Sequence, residues 1–161
     1  MMIENFGFIL AASIMLTAIY TDLTVMKIPN PLVIILITAY PVFHFAIGRD
    51  LPSFGNHVIA LVAVFLLMMI PFMINQMAGG DVKLAAATAF WIGFNPELLN
   101  YILTTGLIGG AFTLLVIIVR RFPPIPSFIG YKLYDTITDT NKRITYGVPM
   151  AIAGIYALFP G

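Results

Sequence analysis

Two aspartates stand at the edges of long apolar runs, where an ionisable group is costly and often functional. Asp22 follows the run at residues 3–21, and Asp81 sits in "AGGDVKL", just ahead of the run at 82–95. Two carboxylates that share a proton can divide hydrolysis between them, one activating water and the other protonating a carbonyl. A structural reading stands beside this one: Asp22 as a helix-end charge, Asp81 as a helix N-cap. Gly79 and Gly80 precede Asp81. Without a Cβ they let another chain approach closely, as an extended substrate would require, although a tight turn also welcomes them. Glu4, Asp50 and Glu97 fall at the opposite boundaries, while Asp135 and Asp139 lie in the polar stretch "YDTITDTNK" and read as solvated loop charges.

Placing those carboxylates requires the elements around them. The chain of 161 residues is 60% hydrophobic and 9% charged, with a mean hydropathy of +0.99. A soluble domain is about 45–50% apolar and about 25% charged, so the composition reads as an integral membrane protein. Apolar runs fall at about 3–21, 31–48, 57–76, 82–95, 98–119 and 144–160. They are continuous rather than alternating, which favours helices over barrel strands. The fourth is short. The expected fold is therefore all-α, a polytopic membrane protein of about six transmembrane helices forming one domain over 1–161. The N-terminal segment carries Glu4 and no Lys or Arg before its apolar run, so it reads as a first span, not a secretory signal.

Six spans alternate the loops between two sides. Lys27, Lys83, Arg120, Arg121, Lys132, Lys142 and Arg143 share one side, and Arg49 falls on the other. By the positive-inside rule both termini face out, and the Asp22 and Asp81 loops face the cytoplasm. The net charge of +1 gives no basic stripe for a nucleic acid. The absence of cysteine removes disulfides, thiolate metal sites and cysteine nucleophiles. No cofactor and no metal is expected. His44 lies about 20 Å along its helix from Asn30 and His57 at the outer boundary, so neither meets the aspartates. Ser13 and Ser127 are poorly placed for a serine–lysine pair with Lys83. Met68, Met69, Met73 and Met77 read as packing, or as a yielding surface for varied helices.

Local signals refine this picture. Asn30 and Pro31 read as N-cap and first residue of the second span, and Ile28-Pro29-Asn30 as fixing the loop that carries Asp22. Lys83 reads either as a cytoplasmic anchor or as an aid to Asp81. Gly106 with Gly110, and Gly147 with Ala151, are small-residue steps for close helix packing. Pro71 and Pro149 are expected to kink spans three and six. Helix dipoles are expected to lower the pKa of Asp81 and raise that of Asp22, making Asp81 the base and Asp22 the acid.

"TDLTVMKIPNPL", followed one hairpin later by "AGGDVKL", resembles the prepilin leader peptidase family, the GxGD aspartic proteases of bacterial and archaeal membranes. In that family one Asp precedes an Ile-Pro-Asn, here Asp22 before Ile28-Pro29-Asn30. The second lies in Gly-x-Gly-Asp-x-Lys, here Asp81 before Lys83 and Leu84, with Ala78 replacing the first glycine. The late stretch "ITYGVPMAIAG", residues 144–154, resembles the family's final span, with Thr145 where Pro often stands. The resemblance implies an aspartic endopeptidase with Asp22 and Asp81 catalytic. Its implied substrate is a prepilin or pseudopilin with a basic leader and a hydrophobic helix, cut at the cytoplasmic face of the inner membrane. Larger members carry a cytoplasmic tetracysteine insert and N-methylate the mature pilin. The loop after the first span here has about ten residues and no cysteine, which resembles the short, peptidase-only Flp/Tad form, so methyltransferase activity is not expected. The competing readings are a small proton-coupled transporter and a non-catalytic scaffold for pilus assembly.

Overall fold

The computed structural model describes residues 2–121 and 146–159. Among these residues the chain is helical and contains no strand. The helices are α1 (Met2–Val25), α2 (Asn30–Ala46), α3 (Leu51–Met73), α4 (Gly79–Ile92), α5 (Pro96–Arg121) and α6 (Gly147–Leu158). Stretches Asn5–Val25, Leu51–Met73 and Pro96–Val119 are long and apolar enough to cross a bilayer. The shorter α4, with 14 residues, reaches about 21 Å, against a hydrocarbon core of about 30 Å. Asp135, Asp139 and Ser127 lie outside the described residues.

The two shortest helices form the centre. α4 buries eleven of its 14 residues and contacts α2, α3, α5 and α6. α6 buries nine of its 12 residues and contacts α1, α4 and α5. The longer α3 buries only His57, Ala60 and Val64 and presents Leu66, Ile70 and Met73 outward. That distribution suits helices that wrap a core and face lipid. In lipid, helices associate through close backbone approach more than through burial of large apolar side chains. The centre obeys this: Ala85, Ala87 and Ala89 of α4, Ala151 and Ala153 of α6, and Ala11 and Ala18 of α1 are fully buried. A Cβ on Gly154 would lie 2.7 Å from Thr88 Cγ2.

Several hydroxyls within the apolar helices return to their own backbone. Ser13 donates to the Ile9 carbonyl at 2.8 Å, Thr17 to Ser13 at 2.8 Å and Thr38 to Ile34 at 2.8 Å. These bonds satisfy groups that lipid cannot.

Three local expectations change. Gly106 and Gly110 face open space; Gly109 is the packed glycine of α5, its Cβ position 3.2 Å from Tyr146 Cε1 and 3.7 Å from Pro149 Cβ. Pro71 is internal to α3, as expected. Pro149, however, sits in the first turn of α6, where a missing N–H removes no helical bond and no kink follows. Finally, Pro29 is the N-cap of α2, with Asn30 already helical; residue 29, held extended at ψ 134°, takes the last non-helical position.

Candidate active site

Asp22 lies in the last turn of α1, and Met26 ends that helix in the left-handed region (φ 54°) while its N–H donates to the Asp22 carbonyl at 3.0 Å. The turn sends the chain into Lys27, Ile28 and Pro29. Ile28 is buried and is seated by two glycines. A Cβ on Gly80 would stand 3.2 Å from Ile28 Cβ, and one on Gly147 would stand 2.9 Å from Ile28 Cδ1. The Gly80 backbone thus accommodates the Ile28 turn, and a Cβ on Gly79 would stand 3.5 Å from Phe72 Cε2. Both glycines meet neighbours within the fold.

Asp81 is the third residue of α4 and not its N-cap, which is Ala78. Alanine has no side-chain acceptor, so the cap works in one direction: Asp81 Oδ2 accepts the Ala78 N–H at 3.3 Å. Asp81 and Asp22 are each only 3% exposed, which takes both out of bulk solvent. The fold brings them together closely enough for the charge of Asp22 to act on Asp81. Asp81 stands ahead of the apolar stretch 82–95, and its carboxyl is pushed up to about 7, first by burial and second by the Asp22 charge. These outweigh its bonds to the Ala78 and Tyr146 amides, so the expected lowering by the α4 dipole is overturned. Lys83 does not rescue it: the lysine is exposed and donates to Asn30 Oδ1 at 3.1 Å. That bond joins the Ile-Pro-Asn turn to α4.

The third wall of the site comes from the start of α6. The Asp22 carboxylate faces the backbone amides of Gly147 and Val148, and Asp81 faces that of Tyr146. A Cβ on Gly147 would lie 2.5 Å from Asp22 Oδ2. Residue type alone assigns these positions no chemistry. The available signal was a glycine with a proline two positions on, opening an apolar run, since a helix start leaves backbone donors unpaired.

Other candidate chemistry lies elsewhere, as expected. His57 Nδ1 donates to the Phe90 carbonyl at 2.8 Å, at the end of α4 remote from Asp81. His44 bonds Tyr40 Oη at 3.0 Å and the Asp50 carbonyl at 3.1 Å. Ser13 is exposed. Of the methionines, Met77 is buried and Met73 is exposed. No group of three or more His, Asp or Glu among the described residues is arranged to hold a metal ion.

The type IV leader peptidase family profile matches residues 9–114, a segment that holds both aspartates, the Ile-Pro-Asn turn and the Gly79–Lys83 stretch. The chain belongs to the type IV leader peptidase family. Membership identifies it as a peptidase, and its long apolar helices as a membrane protein. For this family member, no curated protein and no solved structure shows significant similarity. The family match stops short of Tyr146–Val148, so the third wall is a feature read from the fold.

Proposed function

We propose that the protein is an aspartic endopeptidase that removes the leader peptide of prepilin-type substrates at the cytoplasmic face of the membrane, with Asp22 and Asp81 as the catalytic pair. The observation that carries this reading is the burial of two carboxylates against one another inside the segment matched by the leader peptidase family. Two buried carboxylates side by side favour one shared proton; we assign it to Asp81, because Asp22 faces two backbone amides that suit its ionised form, and take Asp22 as the base. This reverses the roles expected from helix dipoles.

The reaction follows from those two states. Ionised Asp22 takes a proton from a water, whose oxygen attacks the scissile carbonyl carbon. Protonated Asp81 gives its proton to the carbonyl oxygen, producing a neutral tetrahedral diol. Collapse of the diol breaks the C–N bond, with the proton on Asp22 passing to the leaving nitrogen and a diol proton returning to Asp81. The pair ends as it began, and no metal or cofactor takes part in these steps.

We read the six helices as six crossings with both termini outside. The abundance of Lys and Arg on the Asp22 and Asp81 side supports this orientation. The short loop between α1 and α2 and the absence of cysteine support the peptidase-only form acting on Flp-like prepilins, without methyl transfer. Coexpression with an Flp-type prepilin tests the assignment. The expected product, by mass spectrometry, is a pilin lacking its leader and carrying an unmethylated N-terminus. An intact prepilin in the presence of folded enzyme would refute the substrate class.

A further inference from the structure

A helix start leaves its first four backbone N–H groups without intrahelical partners. In α6 those positions are Tyr146, Gly147, Val148 and Pro149, and Pro149 has no N–H to leave. The first helical bond is Met150 N–H to the Tyr146 carbonyl at 3.2 Å. Three donors therefore need acceptors, and no side chain caps the helix at Tyr146. All three are directed at the aspartates, Gly147 and Val148 towards Asp22 and Tyr146 towards Asp81. Asp22 Oδ2 is buried and has no hydrogen-bond partner among the described residues, and it lies where a Cβ on Gly147 would fall. The carboxylates of α1 and α4 thus face the start of a helix that no side chain caps.

We propose that the first turn of α6 is a positioning element of the aspartate pair, its free amides holding both carboxylates in register and its Gly147 required because a Cβ would displace Asp22. The catalytic consequence rests on the protease reading, whereas the capping geometry does not. Three partial positive ends facing two carboxylates suit a pair carrying one negative charge. The neighbouring groups leave this task to the amides. Asp81 is the titratable side chain that α4 sets against Asp22. On the α5 side, Thr113 Oγ1 bonds Tyr146 Oη at 3.2 Å. From the α2 side Ile28 is apolar, Lys27 is exposed and Lys83 is engaged with Asn30.

Four variants and one measurement on the unaltered chain test this. Gly147→Ala is expected to lower kcat on the order of a hundredfold, as misplacement of a reacting group does, with KM for a prepilin changed less than about threefold. Val148→Pro removes a single amide at a position where helices accept proline. It should move the acidic limb of the pH–rate profile to higher pH, because ionised Asp22 loses a donor. Val148→Ala keeps the amide and should leave the acidic limb of the pH–rate profile at its wild-type position, whatever its effect on stability. In ¹⁵N-labelled wild-type protein the Gly147 and Val148 amide resonances should titrate with the carboxyl pair, and should cease to do so in Asp22→Asn. Amides that do not titrate in the wild type, or an unmoved pH limb in folded Val148→Pro, would overturn the proposal. The amide titration needs no cleavage, so failure of the wild type to cut any prepilin would refute the protease reading and leave this result standing.

Discussion

Burying Asp81 beside a second carboxylate works against folding wherever the group must ionise. A carboxyl raised from its ordinary value to about 7 leaves the folded state at full stability below pH 4. Stability is then lost as pH rises through 7. Asp81→Asn should therefore melt at a higher temperature than wild type at pH 8 in detergent, by several degrees for an effect of a few kcal/mol. The difference should vanish near pH 4. A variant that melts lower at pH 8 would mean the carboxylate is a net stabiliser. The activity of the wild type should also fall above about pH 7, as Asp81 loses the proton it donates. The two aspartates themselves were legible from sequence, because carboxylates at the boundary of an apolar run stand out. Their capping roles were not. Sequence favours Asp81 and Asn30 as N-caps by residue type, but the cap is the last residue with extended backbone. The chain gives that place to Ala78 and Pro29, freeing Asn30 to receive Lys83.

At the level of elements, glycine spacing was readable and its register was not. The step Gly106–Gly110 matches a packing motif, yet α5 turns Gly109 towards α6. Only the rotation of α5 about its axis decides which glycine is covered. We expect Gly106→Ala and Gly110→Ala to be neutral or to stabilise by about 0.5–1 kcal/mol, from helix propensity. Gly109→Val should destabilise by about 1–3 kcal/mol through overpacking against Tyr146 and Pro149. Thermal denaturation in detergent distinguishes them, and the reverse order would contradict the packing described. Gly93 ends α4 at φ 83°, and a Cβ there would lie 2.7 Å from His57 Cε1. Gly93→Ala should lower stability at the end of α4 far from the aspartates. Even so, its residual folded fraction should retain wild-type kcat.

For the whole molecule, composition and run length made the helical membrane class and most helix positions legible. They did not reveal that the two shortest helices occupy the centre, because burial of α4 and α6 depends on partners distant in sequence. The arrangement puts the Asp22 turn, the Gly79–Lys83 stretch and the first turn of α6 at one end of the bundle. His44, Asp50, His57 and the C-terminus of α4 lie at the other. The proposed orientation predicts that an impermeant thiol reagent applied outside intact cells labels Arg49→Cys and spares Lys27→Cys; inverted vesicles should give the opposite result. The central claim, that Asp22 and Asp81 together perform peptide hydrolysis, is tested most directly by purified protein and a synthetic prepilin carrying its leader and hydrophobic helix. The account predicts leader release by the wild type and loss of at least about a hundredfold in rate, of the order seen for essential catalytic groups, in folded Asp22→Asn and in folded Asp81→Asn. Cleavage at the wild-type rate by either variant would contradict it.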